Sequence, residues 1–281
     1  MNPIIGIEDK LNQYILPTKG GKRICVVGGG PAGMQAAIYL SDRGHQVTLF
    51  EAKNRLGGQL NFADYAEFKR DPGRFKQYLI TQVTKREITV KLCTTATAEL
   101  LAAENPDHLI LVLGAETLEI PIPGTEQTMK SPDVFGHEDT LGQNVAIIGG
   151  GQVGVETGIH LAQKGKNVTI LEMQNKIAPD ACFTYKWAMD IELQERKNIR
   201  CITGGRCTGV TKDAVTYVDK NGRPQRLPTD NAILCVGFKA KLQTAENLIL
   251  PGVPFTLIGD CKQVGTVQQA VRSAFDIGTT L

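Results

Sequence analysis

The residues in this chain best placed to do chemistry are two sets of glycines and two acids. Gly28, Gly30 and Gly33 stand as G-x-G-x-x-G in GGGPAG, and Gly149, Gly151 and Gly154 repeat that spacing in GGGQVG. Each set follows a short apolar run and opens a stretch with apolar residues at helical spacing. Each unit closes on an acid, Glu51 or Glu172. In a strand–turn–helix of this kind the first glycine makes the tight turn and the second lets a pyrophosphate approach the backbone. The third lets the helix pack on the strand. The pyrophosphate then lies at a helix N-terminus, where free N–H groups and the positive end of the helix dipole favour an anion. The acid at the end of the second strand can accept hydrogen bonds from adenosine ribose hydroxyls and repels a 2′-phosphate. The chemistry implied is the binding of two dinucleotides, with NADH favoured over NADPH at the second site, although Lys176 lies near Glu172.

The elements that must position these residues come as a repeat. Segments 23–52 and 144–173 match at a constant offset of 121 residues, which pairs Gly28 with Gly149, Gly44 with Gly165 and Glu51 with Glu172. Each reads as a βαβ unit whose helix ends near a C-cap glycine, Gly44 or Gly165. The strands Val47–Phe50 and Val168–Leu171 are apolar without strict alternation, as in a parallel sheet buried on both faces. Between the units the pattern predicts a helix near Gly73–Thr84, a strand near Ile88–Leu92 and a strand His108–Leu113 ending at Gly114. The proline-punctuated EIPIPG (119–124) reads as a crossing between domains. Beyond the second unit come a helix near Lys186–Glu195, short strands around Asn198–Val218 and a hairpin turn at Asn221-Gly222. The strand Ala232–Val236 then meets Gly237, and the strand Phe255–Ile258 precedes Gly259-Asp260 and a helix from about Val267. So short a tail cannot hold its own core and must complete a sheet elsewhere. The expected fold is α/β, with two Rossmann-like dinucleotide-binding domains, the second inserted in the first. The first spans 1–127 and 244–281 and the second 128–243.

The totals set bounds on function. At 281 residues the chain has room for two domains, at roughly 150 residues each. With 42% hydrophobic and 21% charged residues it has the composition of a soluble globular protein. A net charge of +2 gives no case for a nucleic-acid partner. No apolar run reaches the roughly 20 residues of a membrane helix, and the N-terminus lacks a secretory pattern. The seven cysteines show no C-x-x-C, and Cys25 and Cys235 sit in apolar runs as small buried hydrophobes. A reducing, cytoplasmic setting follows. The four histidines have no metal-ligand spacing, so no metal site is expected.

GGGPAG, Glu51, LGGQL (56–60), the strand ending at Gly114 and the late LIGD (257–260) resemble the flavoproteins with two dinucleotide-binding domains. By that resemblance Gly28, Gly30, Pro31, Ala32, Gly33, Glu51, Gly58, Gln59 and Leu60 would line an FAD, with Gly259 and Asp260 near its ribityl chain or pyrophosphate. Gln268, Gln269 and Ala270 would begin a helix whose N-terminal amides face the flavin pyrimidine edge and stabilise the reduced anion; the alternative is an exposed helix face. Gly149, Gly151, Gln152, Val153 and Gly154 match the family's nicotinamide site. Glu156 would lie near the nicotinamide or, alternatively, be a solvated helix residue. Ala52 and Met173 after the acids, with Gly114 and Gly237 at the strand ends, complete the two candidate sets.

A narrower resemblance lies at the N-terminus. Asn2-Pro3, the loop to Ile15-Leu16-Pro17, and KRICVVGGGPAGMQAA (22–37) resemble the C-terminal flavoprotein portion of the 2,4-dienoyl-CoA reductase and 2-enoate reductase family, which is old-yellow-enzyme-like. Full-length members add an FMN-binding barrel and a four-cysteine iron–sulfur site, neither of which is in these residues. The resemblance covers essentially the whole chain but only the family's last portion. It implies hydride transfer from NADH to FAD in a dry crevice, and electrons passed on to an iron–sulfur/FMN barrel domain or subunit. The protein's task there is positional, and no side chain is named as catalytic. Two other readings stay open. One is a ferredoxin- or thioredoxin-type reductase of the same fold. The other is a non-catalytic scaffold that holds an adenine nucleotide.

Overall fold

The computed structural model describes residues 3, 5, 6, 8–10, 16–18, 20–65, 69–179 and 181–281. Asn2 and Ile15, which carry part of the N-terminal resemblance, lie outside the described residues. The chain divides into two compact α/β units. One holds Met1–Asp64, Arg70–Glu116 and Lys239–Leu281; the other holds Tyr65–Lys69 and Thr117–Phe238.

The first unit is built on a five-stranded, all-parallel sheet. Its order is Phe255–Leu257, His108–Leu111, Arg23–Val27, Gln46–Phe50, Ile88–Lys91. The central strand shows why its sequence is almost wholly apolar. Successive side chains point to opposite faces, and both faces are covered. Ile24 and Val26 join Met34, Ala37 and Leu40 of the fingerprint helix Pro31–Asp42, together with Ala270 and Ala274 of the last helix. Cys25 and Val27 join Leu101, Leu109, Leu111 and Leu248 on the other side. The C-terminal tail does complete this sheet. Phe255–Leu257 pairs with Leu109–Leu111, and the helix Val267–Thr280 lies along Pro31–Asp42 with Phe275 edge-on to Tyr39 at 5.5 Å.

The second unit repeats the plan. Its parallel sheet runs Met129–Lys130, Asn231–Leu234, Asn144–Ile148, Asn167–Glu172, Ile199–Thr203. Ile147 and Ile170 pack on Val155 and Ile159 of the helix Gln152–Gln163. Ala146, Ile148 and Leu171 meet Val215 and Leu227 of an antiparallel three-stranded sheet made of Arg206–Thr211, Ala214–Val218 and Pro224–Pro228. The Asn221-Gly222 hairpin turn is present: Gly222 has φ 77° and the Asp219 carboxylate accepts the Asn221 and Arg223 N–H groups. Both fingerprint helices stop as expected. Gly44 and Gly165 take φ 89° and 84°, and the N–H of the next residue, His45 or Lys166, returns to Leu40 or Leu161 in a Schellman motif.

Three expectations need correcting. The divisions between the units fall at Glu116/Thr117 and Phe238/Lys239, not at 127/128 and 243/244, and Tyr65–Lys69 is a second excursion into the later unit. EIPIPG is not a crossing but belongs to the second unit. The Pro123 carbonyl accepts the Val210 N–H at 2.8 Å, and Gly124, with φ 85°, abuts the Val210 backbone. Prolines announce an irregular segment without saying which strand edge it lies against. The strand expected over His108–Leu113 ends at Leu111, and the chain turns at Gly114 with φ 73°.

Candidate dinucleotide-binding sites

At the first turn the backbone is packed to the limit. Gly28, with φ 120°, donates to the Phe50 carbonyl at 2.8 Å. A Cβ on it would stand 2.2 Å from the Val112 oxygen. The LGGQL loop closes over this turn: Gly57 N–H donates to the Gly29 carbonyl, and a Cβ on Gly58 would lie 2.8 Å from Gly30 Cα. Leu60 is buried and Gln59 exposed at the start of the short helix Leu60–Ala63. The carboxylate of Glu51 is buried and spans the turn, accepting Gly29 N–H on one oxygen and Lys53 N–H on the other, both at 2.8 Å. Ala52, next to it, is exposed.

The late residues reach the same place. A Cβ on Gly259 would come within 3.0 Å of the Ala32 Cβ and 4.0 Å of the Ala270 Cβ. Asp260 accepts Gly265 N–H at 3.1 Å, and burial pushes its carboxyl above the usual carboxylate range despite that bond. The Gln269 side chain, at an exposed position, is already engaged within the chain. It closes a capping box with Thr266, and the Ala270 N–H is bonded to the Thr266 carbonyl. Of the three residues expected there, only Gln268 keeps an exposed position with a first-turn N–H that has no partner within the helix.

The second turn copies the first. Gly149 has φ 107° and donates to the Leu171 carbonyl at 2.9 Å, and a Cβ on it would lie 2.3 Å from the Cys235 oxygen. Glu172 accepts Gly150 N–H at 2.6 Å and Gln174 N–H at 2.7 Å. Around Gly151 a Cβ would meet nothing within 4 Å. Val153 and Met173 are exposed, and Gly237 turns the chain with φ 110° just after the Cys235–Val236 backbone that lines Gly149.

Two other helix starts are satisfied from within the chain. Thr97 caps the helix Ala98–Ala103, with Glu99 in its first turn, and the Thr266–Gln269 box caps the last helix. The two fingerprint helices begin at Gly30 and Gly151 with no side-chain cap and no acid in the first turn. Their free N–H groups and positive dipole ends therefore suit an external anion. The residues fit a pyrophosphate at each.

Known proteins carry the same arrangement. The pyridine nucleotide-disulphide oxidoreductase model matches residues 22–252. The chain belongs to that family. Its members are FAD-dependent oxidoreductases with Rossmann-like FAD- and NAD-binding folds. The chain is 35% identical over 270 residues to a bilirubin reductase of Mediterraneibacter gnavus, covering 94% of this chain and 41% of the relative. It is 35% identical over 287 residues to an NADH oxidase of Thermoanaerobacter brockii, covering 99% and 43%. A 2-naphthoyl-CoA reductase structure superimposes with a TM-score of 0.93 at 27% identity, covering all of this chain and 43% of that one. These matches fit the C-terminal flavoprotein portion of the enoate-reductase-like family. The chain spans about two-fifths of the length of the relatives it matches.

No two of the seven cysteines are spaced C-x-x-C. All seven cysteines are free. Burial pushes the Cys25 and Cys235 thiols up to about 12, so both stay protonated and unreactive. Among the described residues no cluster of histidine, cysteine and acid could hold a metal, and no helix is long and apolar enough to cross a membrane.

One group of residues has no counterpart in the sequence reading. Glu156 is not a solvated helix residue. It is 8% exposed, and three donors converge on it: Lys69 Nζ at 2.7 Å, Tyr185 Oη at 2.8 Å and Gln152 Nε2 at 2.9 Å. Only Gln152, four residues away on the same helix, could have been paired with it by spacing. Lys69 and Tyr185 lie 87 and 29 residues away and gave no local signal.

Proposed function

We propose that this chain is the NADH-oxidising half of a larger flavoenzyme. FAD occupies the first fingerprint and NADH the second, hydride passes from nicotinamide to flavin, and electrons leave for an iron–sulfur/FMN barrel carried as a further domain or subunit. The observation that carries this reading is the duplicated, uncapped helix start, each seated on a close-packed glycine turn and each locked by an acid. The length of the relatives, more than twice that of this chain, supports a further domain as acceptor. FAD, when bound, supplies a two-electron acceptor able to release its electrons one at a time.

The chain's own residues bind and orient. Gly30, Gly33 and the N–H groups opening Pro31–Asp42 would hold the FAD pyrophosphate. Glu51 would take the adenosine ribose, and Gly58, Leu60, Gly259, Asp260 and Gln268 would line the flavin half. Gly151, Gln152, Val153 and Gly154 would take the second pyrophosphate. Glu172 already bonds the turn through both oxygens. Each oxygen retains acceptor capacity for a ribose hydroxyl, and its charge opposes a 2′-phosphate, which favours NADH.

The test is the visible spectrum of the purified protein before and after anaerobic NADH. Flavin bands near about 450 nm that bleach with NADH, and less readily with NADPH, support the reading. A colourless protein that cannot be reconstituted with FAD overturns it and leaves a nucleotide-binding scaffold.

A further inference from the structure

We infer that His45 is an acid-sensitive latch on the chain entering the first strand, holding it while the imidazole is neutral and releasing it on protonation. The latch does not depend on what either fingerprint binds. The chain enters Arg23–Val27 across the loop that joins the first fingerprint helix to the strand Gln46–Phe50. Thr18 donates its N–H and its hydroxyl to the Arg43 carbonyl, at 2.9 and 3.3 Å. Gly21 lies so close to the loop that a Cβ on it would stand 2.3 Å from the Gly44 oxygen. The Lys22 N–H donates to His45 Nδ1 at 3.1 Å. The last of these contacts rests on a group that titrates near neutral pH.

An imidazole nitrogen that accepts a hydrogen bond carries no proton. The Lys22 contact therefore fixes His45 as neutral, with its proton on Nε2. That nitrogen is buried and has no partner among the described residues, in a side chain only 4% exposed. Protonation puts a second N–H on Nδ1, facing the Lys22 N–H, and the bond between them is lost. The surroundings oppose the cation. Burial first, then the charges of Arg43 and Lys22, hold the imidazole below the usual histidine value of 6.5. A place for the displaced ring lies beside it. His45 lines a cavity of about 420 Å³ with Arg23, Ser41, Glu87 and Glu104. Arg23 is engaged by Asp107 and Glu104 by Lys91, which leaves the Glu87 carboxylate to receive a protonated ring turned into the cavity.

The second unit shows that the fold does not demand this device. At the offset of 121 Lys22 matches Gln143 and His45 matches Lys166. The backbone pairing is the same, Gln46 N–H to the Lys22 carbonyl and Asn167 N–H to the Gln143 carbonyl. The closure differs: the Gln143 amide donates to the Gly165 carbonyl at 2.7 Å, and Lys166 Nζ to the Leu141 carbonyl at 2.6 Å. For His45 the closed value lies below the open one. The latch is therefore at full strength above 6.5 and weakens as pH falls from there toward the closed value.

Hydrogen exchange at the Lys22 amide tests this. It is measured in the wild type, His45→Asn and His45→Leu at about pH 7.5 and about pH 5.5, corrected for the intrinsic pH dependence of exchange, with the Ile147 amide of the second unit as reference. Asparagine offers an oxygen where Nδ1 stood and does not titrate. The wild type is expected to lose up to about tenfold in protection at the lower pH, a ceiling set by an open-state value near 6.5. His45→Asn is expected to stay protected at both pH values and His45→Leu at neither. Equal protection of the wild type at both, or the same acid loss in His45→Asn, overturns the latch. If the variants do not fold, nitrogen-15 spectra of the wild-type imidazoles decide. A bare Nδ1 at neutral pH with titration below 6.5 supports the latch, and a protonated Nδ1 or titration at 6.5 or above overturns it.

Discussion

Gly33 lies so close to Gly28 that a Cβ on it would stand 1.8 Å from the Gly28 carbonyl oxygen, and Gly154 stands to Gly149 in the same relation at 2.0 Å. The offending atom is backbone in both cases, so the turn itself would have to move. Gly33→Ala is expected to abolish flavin retention while nicotinamide-dinucleotide titration of the second unit survives, and Gly154→Ala is expected to do the reverse. Overpacking of this kind costs about 1–3 kcal/mol, so thermal melts should show a fall of a few degrees for each. Loss of both ligands in either variant would argue against independent sites.

Glu172 joins nucleotide choice to loop geometry, because its two oxygens hold Gly150 and Gln174. Glu172→Ser removes the charge that opposes a 2′-phosphate. The ratio of kcat/KM for NADH to that for NADPH is expected to fall about tenfold or more, a change of about 1.4 kcal/mol in relative transition-state binding. Reductase assays with a dye acceptor measure it. An unchanged ratio would place the discrimination elsewhere on the loop, with Lys176 the next residue to test.

Within the second unit Glu138 meets the buried His160 Nε2 at 2.6 Å. Burial pushes the Glu138 carboxyl up. The bonds from His160, from its own N–H and from Gly136 N–H outweigh that and hold it below the usual carboxylate range. A depressed folded value means the contribution is complete above the unfolded value, near 4.5, and is lost as pH falls through the folded one. Glu138→Gln is expected to cost about 1 kcal/mol at neutral pH. Urea unfolding of variant and wild type should converge as the pH drops below 4.5.

The last helix is part of the first core. Phe275 is 3% exposed against Tyr39, and a Cβ on Gly278 would lie 2.5 Å from the Tyr39 Cβ. Phe275→Ala is expected to destabilise the first unit by about 3–5 kcal/mol, and Gly278→Leu to do so by overpacking. Denaturant unfolding followed by flavin release should move to lower midpoint in both, with the Trp187 signal of the second unit less affected.

Much of this architecture follows from local rules that a linear sequence displays. The two turns need glycine at φ 120° and 107° and at the close contacts of Gly33 and Gly154, and no other residue tolerates both demands. The apolar strands, the helix stops at Gly44 and Gly165 and the closing acids are likewise written within about thirty residues of each turn, so the repeat, the parallel sheets and the dinucleotide class could be read directly. The tertiary structure decided what depends on residues far apart in the chain. It set the unit boundaries, since EIPIPG is tied to Val210 by a strand edge that no spacing reveals. It withdrew the Gln269 side chain into a cap that serves the helix itself. It also brought Lys69 and Tyr185 onto Glu156, because a buried carboxylate must find its donors wherever the fold places them.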